Sequence, residues 1–347
     1  MKIRVQAKGG AFEFDSAPGE PLLYAGLRNG LSLPYECGTG TCGTCRARVH
    51  HGDVDLLWPD APGLSYVRRE KNETLMCQAA ARDGCTLRVP AVVGDEIGTV
   101  PPPRHRTGEV TLRQTLTDDV VAFQVAIDTP MTFDAGQFVV LETDALAGRR
   151  AYSMVNFGAA ADRLDFVVKR KPGGGFSRWL FDTDVVGETL RVFGPLGRAT
   201  FDPREDKNLL CIAGGSGIAG MMSITARADQ EGYFKDHRGH VYFGVRTGEE
   251  VFYLDELAAL KTRFPDTFEV TVALSDAEPA QDLRDAYPQI EFATGFVHAV
   301  ASAHMAGRYD DLIAYVAGPP PMVDGALRML ILEARLPGSD IRYDKFG

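Results

Sequence analysis

The stretch CGTGTCGTC at residues 37–45 decides how the first part of this chain folds. It holds Cys37, Cys42 and Cys45, and a fourth cysteine, Cys77, follows in the segment TLMCQA. Four cysteines at this spacing are typical of a [2Fe–2S] cluster that is bound by thiolates. The intervening glycines let the loop bend and bring backbone N–H groups close to the sulfur atoms. The spacing therefore predicts a cluster ligand at each of the four positions.

Other kinds of cysteine chemistry explain this pattern less completely. A zinc site normally pairs two C-x-x-C units, and the second unit is missing here. A redox pair formed by Cys42 and Cys45 would leave Cys37 and the glycines without a role. Cys85 is an alternative fourth cluster ligand, although its strand-like surroundings, CTLRVP, favour a buried position. Cys211 lies in an apolar run, and we expect it to be part of a core.

The residues around the cysteine loop predict a small mixed domain. Residues 2–8 and 11–14 alternate like a strand pair, residues 20–30 look like a short helix, and strands are expected at RARVHHG and at 85–93. With the cysteine loop, this pattern closely resembles the plant-type ferredoxin domain, which implies a β-grasp fold over residues 1–95. Three prolines at 101–103 indicate a linker, which we place at 96–106.

The second region, residues 107–204, contains short β-branched runs separated by turns, which predicts an antiparallel β-barrel. Two of its segments carry chemistry: RRAYS at 149–153 and KPGGGFSRWL at 171–180. The second segment is a glycine turn that opens a helix at Ser177, and a helix N-terminus suits a phosphate group. Together the two segments resemble the flavin-binding barrel of the ferredoxin–NADP reductase superfamily.

That resemblance implies bound FAD and a role for each matched residue. Arg150 would hold the pyrophosphate, Tyr152 would stack on the isoalloxazine ring, and Ser153 would hydrogen-bond near flavin N5. An arginine in solvent beside a core tyrosine is the alternative. The glycine turn is expected to supply backbone donors to the pyrophosphate at Gly174, Gly175 and Ser177. Lys169 is expected to make one further contact with the cofactor.

From about residue 206 strands and helices alternate, with helices expected at 219–231 and near 253–263. This alternation predicts a parallel α/β domain over residues 205–347. A glycine-rich loop follows its first strand and opens the next helix, as a pyrophosphate site requires. The loop resembles that of the same reductase family, with Gly220 in place of a proline, and a later turn has Ala317 in place of a cysteine. The residues implied in nicotinamide binding are Gly214, Gly215, Ser216, Gly217, Gly318 and Pro319.

Three further residues complete the implied sites. Arg246 would reach the phosphates or ribose of the nicotinamide cofactor. Glu249 and Glu250 follow where a 2′-phosphate would lie, so their carboxylates favour NADH over NADPH. Phe346 is the candidate for a terminal aromatic residue that covers the flavin, although simple packing of a C-terminal strand would also explain it. The residues expected at the reacting centre are thus Tyr152, Ser153 and Phe346.

Nicotinamides transfer electrons as a hydride, iron–sulfur clusters accept one electron at a time, and flavins do both. The domain order resembles the reductase component of bacterial multicomponent oxygenases, and LWPDAPGL (57–64) and the ending YDKFG look most like the toluene, phenol, alkene and methane monooxygenase group. This implies an NADH-dependent enzyme that reduces a di-iron hydroxylase component, directly or through a small ferredoxin. The reductase of a Rieske ring-hydroxylating dioxygenase and a non-catalytic redox carrier or sensor remain alternatives.

The charge balance restricts the possible partners. The 347 residues include 37 basic and 47 acidic side chains, a formal net charge of -10, which argues against nucleic acid as the main partner. No apolar run is long enough to span a membrane and no signal sequence is evident, so we expect a cytoplasmic, monomeric protein. Residues 1–95 contain 11 acidic and 11 basic side chains, which predicts that electron delivery depends only modestly on salt.

Overall fold

The computed structural model describes residues 1–94 and 101–345. Three large sheets follow one another along the chain, and each has its own hydrophobic core. In the described part of the chain, no helix has both the length and the apolar character needed to cross a membrane.

The first module is a five-stranded sheet with a short helix packed on one face. Its strands alternate between buried residues such as Ile3 and Val5 and exposed neighbours, which leaves the opposite face in solvent. The sheet order is β2-β1-β7-β3-β5, with β1 and β7 parallel, and β4 pairs with β6. The elements are β1 (Lys2–Ala7), β2 (Gly10–Asp15), α1 (Leu22–Arg28), β3 (Arg46–His51), β4 (Val54–Leu56), β5 (Glu73–Leu75), β6 (Ala79–Ala81) and β7 (Cys85–Arg88).

The second module is a six-stranded antiparallel sheet in the order β11-β10-β13-β8-β9-β12. It curls so that its two ends approach each other, and the N–H of Val155, just after β11, donates to the carbonyl oxygen of Asp165 on β12 at 2.8 Å. The predicted barrel is therefore a curled antiparallel sheet. The elements are β8 (Arg104–Thr117), β9 (Val120–Phe133), β10 (Phe138–Glu142), β11 (Arg150–Ser153), β12 (Gly158–Lys169), α2 (Gly175–Asp182) and β13 (Thr189–Leu196).

The third module is a six-stranded parallel sheet in the order β17-β16-β15-β14-β18-β19. Its central strands are buried along nearly their whole length, as expected for a sheet that helices cover on both faces. The elements are β14 (Asn208–Gly214), α3 (Ile218–Gln230), β15 (Gly239–Val245), α4 (Leu254–Arg263), β16 (Phe268–Leu274), α5 (Gln281–Ala286), β17 (Glu291–Thr294), α6 (Val297–Met305), β18 (Leu312–Gly318), α7 (Pro320–Leu332) and β19 (Ile341–Lys345).

Some predicted boundaries differ from the structure. Residues 104–106, expected in the linker, begin β8 and pair with β13, while residues 96–100 lie outside the described part of the chain. The last strand of the first module ends at Arg88, well short of residue 93. The helix expected to open at Ser177 begins at Gly175.

The first and second modules share a continuous apolar interface. The core of the first module includes Phe138 and Leu196 from the second sheet. The Tyr24 ring stacks on the Phe193 ring with centroids 4.2 Å apart. The Gly197 N–H donates to the Tyr35 hydroxyl at 3.1 Å. Because Tyr24 and Tyr35 both precede the cysteine loop, these contacts hold its N-terminal end against the second sheet.

Candidate cluster, flavin and nicotinamide sites

The cysteine loop, residues 37–45, connects α1 to β3 and is called the cluster loop below. Gly40 and Gly43 have φ angles of +94° and +79°, which favour glycine. A Cβ at Gly40 would lie 2.8 Å from Gln78 Cγ, and one at Gly43 would lie 2.8 Å from Tyr66 Cδ2. Glycine is thus required at both positions for the loop to fold this tightly.

The four predicted cluster ligands meet at this loop. Cys45 Sγ lies 3.2 Å from Cys77 Sγ, and the Thr39 N–H donates to Cys37 Sγ at 3.4 Å. The Cys42 thiol donates a hydrogen bond to Cys37, and this bond lowers the pKa of Cys37 and raises the pKa of Cys42. The four thiols thus lie as two close pairs, Cys37 with Cys42 and Cys45 with Cys77, and four cysteine sulfurs gathered at one loop are the donor set that fits a [2Fe–2S] cluster.

The two remaining cysteines lie in cores. Cys85 pairs with Ile3 in the sheet, and burial raises the pKa of its thiol to about 11. Burial likewise raises the pKa of Cys211, on β14, to about 12. Both thiols stay protonated at neutral pH. Cys77, and not Cys85, is the cysteine that lies beside Cys45.

A cavity of about 380 Å³ lies between the second sheet and the cluster loop. One wall is formed by β11 and the end of β12, a second by the glycine turn before α2, and a third by the first module. Residues from all three walls are Thr39, Thr41, Trp58, Arg150, Tyr152, Lys169, Gly174, Gly175 and Ser177. The cavity therefore brings together the predicted flavin contacts of the second module other than Ser153, and residues of the first module, among them Thr39, Thr41 and Trp58, complete its lining.

Arg150 and Tyr152 give this cavity a cation and an aromatic ring. The guanidinium carbon of Arg150 lies 5.7 Å from the centroid of the Trp58 ring, within cation–π range. The Tyr152 ring lies 5.0 Å from the Phe176 ring, and burial raises the pKa of its hydroxyl, which stays protonated. A charged group beside a planar hydrophobic surface fits the pyrophosphate and ring system of FAD.

The glycine turn supplies fewer backbone donors than the sequence predicted. The Gly174 N–H donates to the Lys171 carbonyl oxygen at 2.9 Å, so it is used inside the turn. The buried Ser177 hydroxyl also stabilises the turn, since it accepts from the Lys171 N–H at 3.1 Å. The backbone amides of Gly175 and Ser177 lie in the first turn of α2, where they have no partner within the helix. Those two amides suit a phosphate.

Lys169 and Arg246 both pair with acids where the second and third sheets meet. Lys169 Nζ lies 2.6 Å from Glu250 Oε2 and 3.1 Å from Asp119 Oδ2. Arg246 pairs with Glu250 as well, and its guanidinium lies 3.6 Å from Asp119. Glu250 is therefore buried among cations, and Glu249 is the carboxylate that stays exposed near the expected 2′-phosphate position.

The nicotinamide loop lies at the carboxyl ends of β14 and β18. Gly214 ends β14, and Gly215–Gly217 form a single helical turn before α3, with Ser216 at the edge of the flavin cavity. A Cβ at Gly217 would lie 2.4 Å from the Ala317 carbonyl oxygen. Because the strand order reverses here, this crevice is where an open parallel sheet binds its ligand. Gly318 and Pro319 complete the turn on the other side.

Ser153, the residue after Tyr152 on β11, lies beside the first turn of α3. A Cβ at Gly220 would lie 3.9 Å from Ser153 Cβ, so the position that carries proline in the family faces this serine. The helix nevertheless begins at Ile218, close to where the sequence predicted.

The C-terminal strand carries an acid near its end. Burial, with the charge of Glu36, raises the pKa of Asp344 to about 7. Phe346 lies outside the described residues.

The sequence did not identify the residues of the first module that reach the flavin cavity. Thr39, Thr41 and Trp58 line it, and the Tyr24 hydroxyl donates to the Gly38 carbonyl oxygen at 2.9 Å. Aromatic residues in a loop and on a short helix carry no pattern that indicates a contact with another module. The segment LWPDAPGL was the nearest signal, and it indicated a family rather than a contact.

Comparison with known families agrees with the three modules. Residues 5–82 match the 2Fe-2S iron-sulfur cluster binding domain, residues 107–201 the oxidoreductase FAD-binding domain, and residues 211–328 the oxidoreductase NAD-binding domain. All four predicted cluster cysteines and the RRAYS segment lie inside these matches. The match to the third family begins within β14 and includes the glycine loop.

Similar proteins match along their whole length. The ferredoxin–NAD(+) reductase component of the alkene monooxygenase system of Xanthobacter autotrophicus is 36% identical over 96% of this chain and 97% of its own. A ferredoxin–NAD(P)(+) reductase of Metapseudomonas resinovorans is 34% identical over 100% of this chain and 99% of its own. The solved structure of the ferredoxin reductase in carbazole 1,9a-dioxygenase superposes with a TM-score of 0.84 at 32% identity, covering 100% of this chain and 99% of that one.

Proposed function

Because this chain belongs to the family of ferredoxin–NAD reductase components of bacterial oxygenase systems, we propose that it supplies electrons from NADH to the oxygenase component of a monooxygenase. Relatives named as alkene and phenol monooxygenase components match over nearly the whole chain. We also propose that it acts as a cytoplasmic monomer, since one chain contains all three sites and NADH is an intracellular reductant.

One observation carries this function. Thr39 and Thr41, which separate the cluster cysteines Cys37 and Cys42, line the same cavity as Arg150 and Tyr152. When bound, NADH, FAD and the [2Fe–2S] cluster supply hydride and single-electron transfer. The residues that would hold the flavin line the same cavity as residues of the cluster loop. A cluster loop in the wall of the flavin cavity gives a short path between the two sites.

The other site residues position the cofactors. Arg150 and the first-turn amides of α2 would hold the FAD pyrophosphate, and Tyr152 would pack against the ring system. Ser153 is held beside Gly220, where it can donate a hydrogen bond close to the reacting atoms. The exposed Glu249 carboxylate repels a 2′-phosphate and so favours NADH.

Replacing a cluster ligand distinguishes flavin reduction by NADH from electron transfer through the cluster. Cys42→Ser should abolish NADH-driven reduction of cytochrome c while NADH still reduces the flavin. Cys85→Ser is the matched control, since Cys85 is a buried core residue, and it should retain both activities. Equal loss of flavin reduction and cytochrome reduction in Cys42→Ser would contradict the modular route.

A dioxygenase partner is the second candidate, and the superposition on the carbazole 1,9a-dioxygenase reductase favours it. Reconstitution distinguishes the two. The purified protein is mixed with NADH and either a monooxygenase hydroxylase or a Rieske dioxygenase, and product is measured against NADH consumed. We expect coupled turnover with the hydroxylase. Coupling with the dioxygenase alone would replace this proposal.

A further inference from the structure

Residues 36–41, at the start of the cluster loop, face the other two modules. A Cβ at Gly38 would contact Val140 of the second sheet, while Thr39 and Thr41 line the flavin cavity. The Tyr343 hydroxyl, from the third module, lies 3.3 Å from Glu36. Electrons therefore arrive at the side formed by residues 36–41.

The other side, residues 42–46, lies beneath an aromatic side chain that solvent reaches. Tyr66 packs over the Gly43 backbone while 61% of its surface stays exposed. The Arg46 guanidinium donates to the Tyr66 carbonyl oxygen at 2.9 Å. Cys42, the least buried of the four ligands, belongs to this side. An acceptor that binds here comes close to the cluster without displacing a module.

The surface next to Tyr66 carries an excess of positive charge. A cleft of about 730 Å³ runs across the exposed face of the first sheet and is lined by Lys8, Arg46, Arg48 and Arg88, with Glu73 as its acidic residue. Arg48 lies directly opposite Arg88 in the β3–β7 register. Like charges in this position repel each other, so an approaching anionic surface stabilises them.

The first module has equal numbers of acidic and basic residues, yet basic residues predominate at this cleft. Several of its acids are paired away from this cleft, as in Lys2–Asp15 at 3.1 Å and Arg82–Asp55 at 2.7 Å. Glu73 itself pairs with Arg68 at 2.8 Å. In residues 1–94 and 101–345, Lys8, Arg48 and Arg88 have no ion-pair partner.

We propose that Lys8, Arg46, Arg48, Tyr66 and Arg88 form the docking surface for an acidic face of the electron-accepting protein. This rests on the proposed function and names the chemistry of its partner. A positive patch on a chain of net charge -10 orients an acidic acceptor toward the cluster and speeds association. Tyr66 is the aromatic anchor next to the cluster loop. The docking surface predicts that electron delivery to the acceptor falls steeply with added salt, whereas the even charge count predicted only a modest dependence.

Two haem proteins of opposite charge test this surface. The soluble domain of cytochrome b5 is acidic and cytochrome c is basic, and each is reduced with NADH as donor at low and high ionic strength. The test variant combines Arg48→Glu with Arg88→Glu. The control combines Arg328→Glu with Arg335→Glu, which makes the same charge change at exposed positions of the third module.

We expect the rate constant for cytochrome b5 to fall roughly tenfold or more at low salt in the test variant, and the rate for cytochrome c to rise. The difference should shrink as salt shortens the Debye length to about 8 Å. Reduction of flavin and cluster by NADH should be unchanged. If charge reversal prevents cluster assembly, Arg48→Gln with Arg88→Gln should still slow cytochrome b5 reduction about threefold.

A cytochrome b5 rate within twofold of wild type, or an equal loss in the control, would overturn the docking surface alone. A wild-type protein that reduces neither cytochrome with NADH would overturn the proposed function, and the docking surface with it.

Discussion

Replacing Glu20 by Gln tests how the first module is held on the second sheet. Glu20 is 7% exposed, and Arg28 Nε and Nη2 each donate to it at 2.9 Å. His105, from the second sheet, lies 3.1 Å from the same carboxylate, and the Ala17 N–H donates to it at 2.9 Å. One buried carboxylate thus connects the end of α1 to β8.

The magnitude follows from the pKa of this carboxyl. Burial alone would raise it, but the hydrogen bonds from His105, Arg28 and Ala17 outweigh burial and lower the pKa from 4.5 to about 2. At roughly 1.4 kcal/mol for each pH unit, this corresponds to about 3 kcal/mol of stability. Because the folded pKa is depressed, that stability is fully present above pH 4.5 and is lost as the pH falls toward 2.

Urea unfolding at pH 7 and pH 3 measures the effect. Glu20→Gln should lose about 3 kcal/mol at pH 7 and about half as much at pH 3. Glu13→Gln is the control, since Glu13 also pairs with an arginine but its side chain is 54% exposed, and it should lose less than about 1 kcal/mol. Equal losses in the two variants, or a larger loss for Glu20→Gln at pH 3 than at pH 7, would refute the assignment.

Two further substitutions test the cofactor sites. Gly217→Ala places a methyl group 2.4 Å from the Ala317 carbonyl oxygen, so flavin reduction by NADH should slow at least about tenfold with FAD still bound. Gly338→Ala, where a Cβ meets nothing within 4 Å, should not change this rate in stopped-flow assays. Trp58→Ala removes the cation–π contact with Arg150 and should weaken FAD binding about fivefold in a fluorescence titration, which corresponds to about 1 kcal/mol. Trp58→Phe should restore most of that affinity, and unchanged binding in Trp58→Ala would exclude this ring from the flavin site.

Local sequence patterns predicted the three modules well because each depends on short-range rules. Cysteine spacing, glycines before a helix and the alternation of strands with helices are all read from short stretches of the sequence. The four cysteines predicted as cluster ligands lie close together, and the glycine loop follows a buried strand. The helix predicted at 219–231 is shifted by a single residue.

Contacts between modules were the part that the sequence could not supply. Lys169 pairs with Glu250, 81 residues further along the chain, because the second and third sheets meet there. Tyr24 and Trp58 reach the second module for the same reason. The positive charge on the first sheet depends on strand register, because the register places Arg48 opposite Arg88. A count of charged residues carries no information about register.

The measurement that tests the central claim most directly is anaerobic stopped-flow mixing of the intact protein with NADH. Flavin and cluster absorbance are followed together, and samples are frozen for electron paramagnetic resonance. The closeness of the cluster loop to the flavin cavity predicts that flavin absorbance falls first, that cluster absorbance follows, and that the signal of a reduced [2Fe–2S] cluster appears. A flavin that is reduced while the cluster stays oxidised would contradict the route.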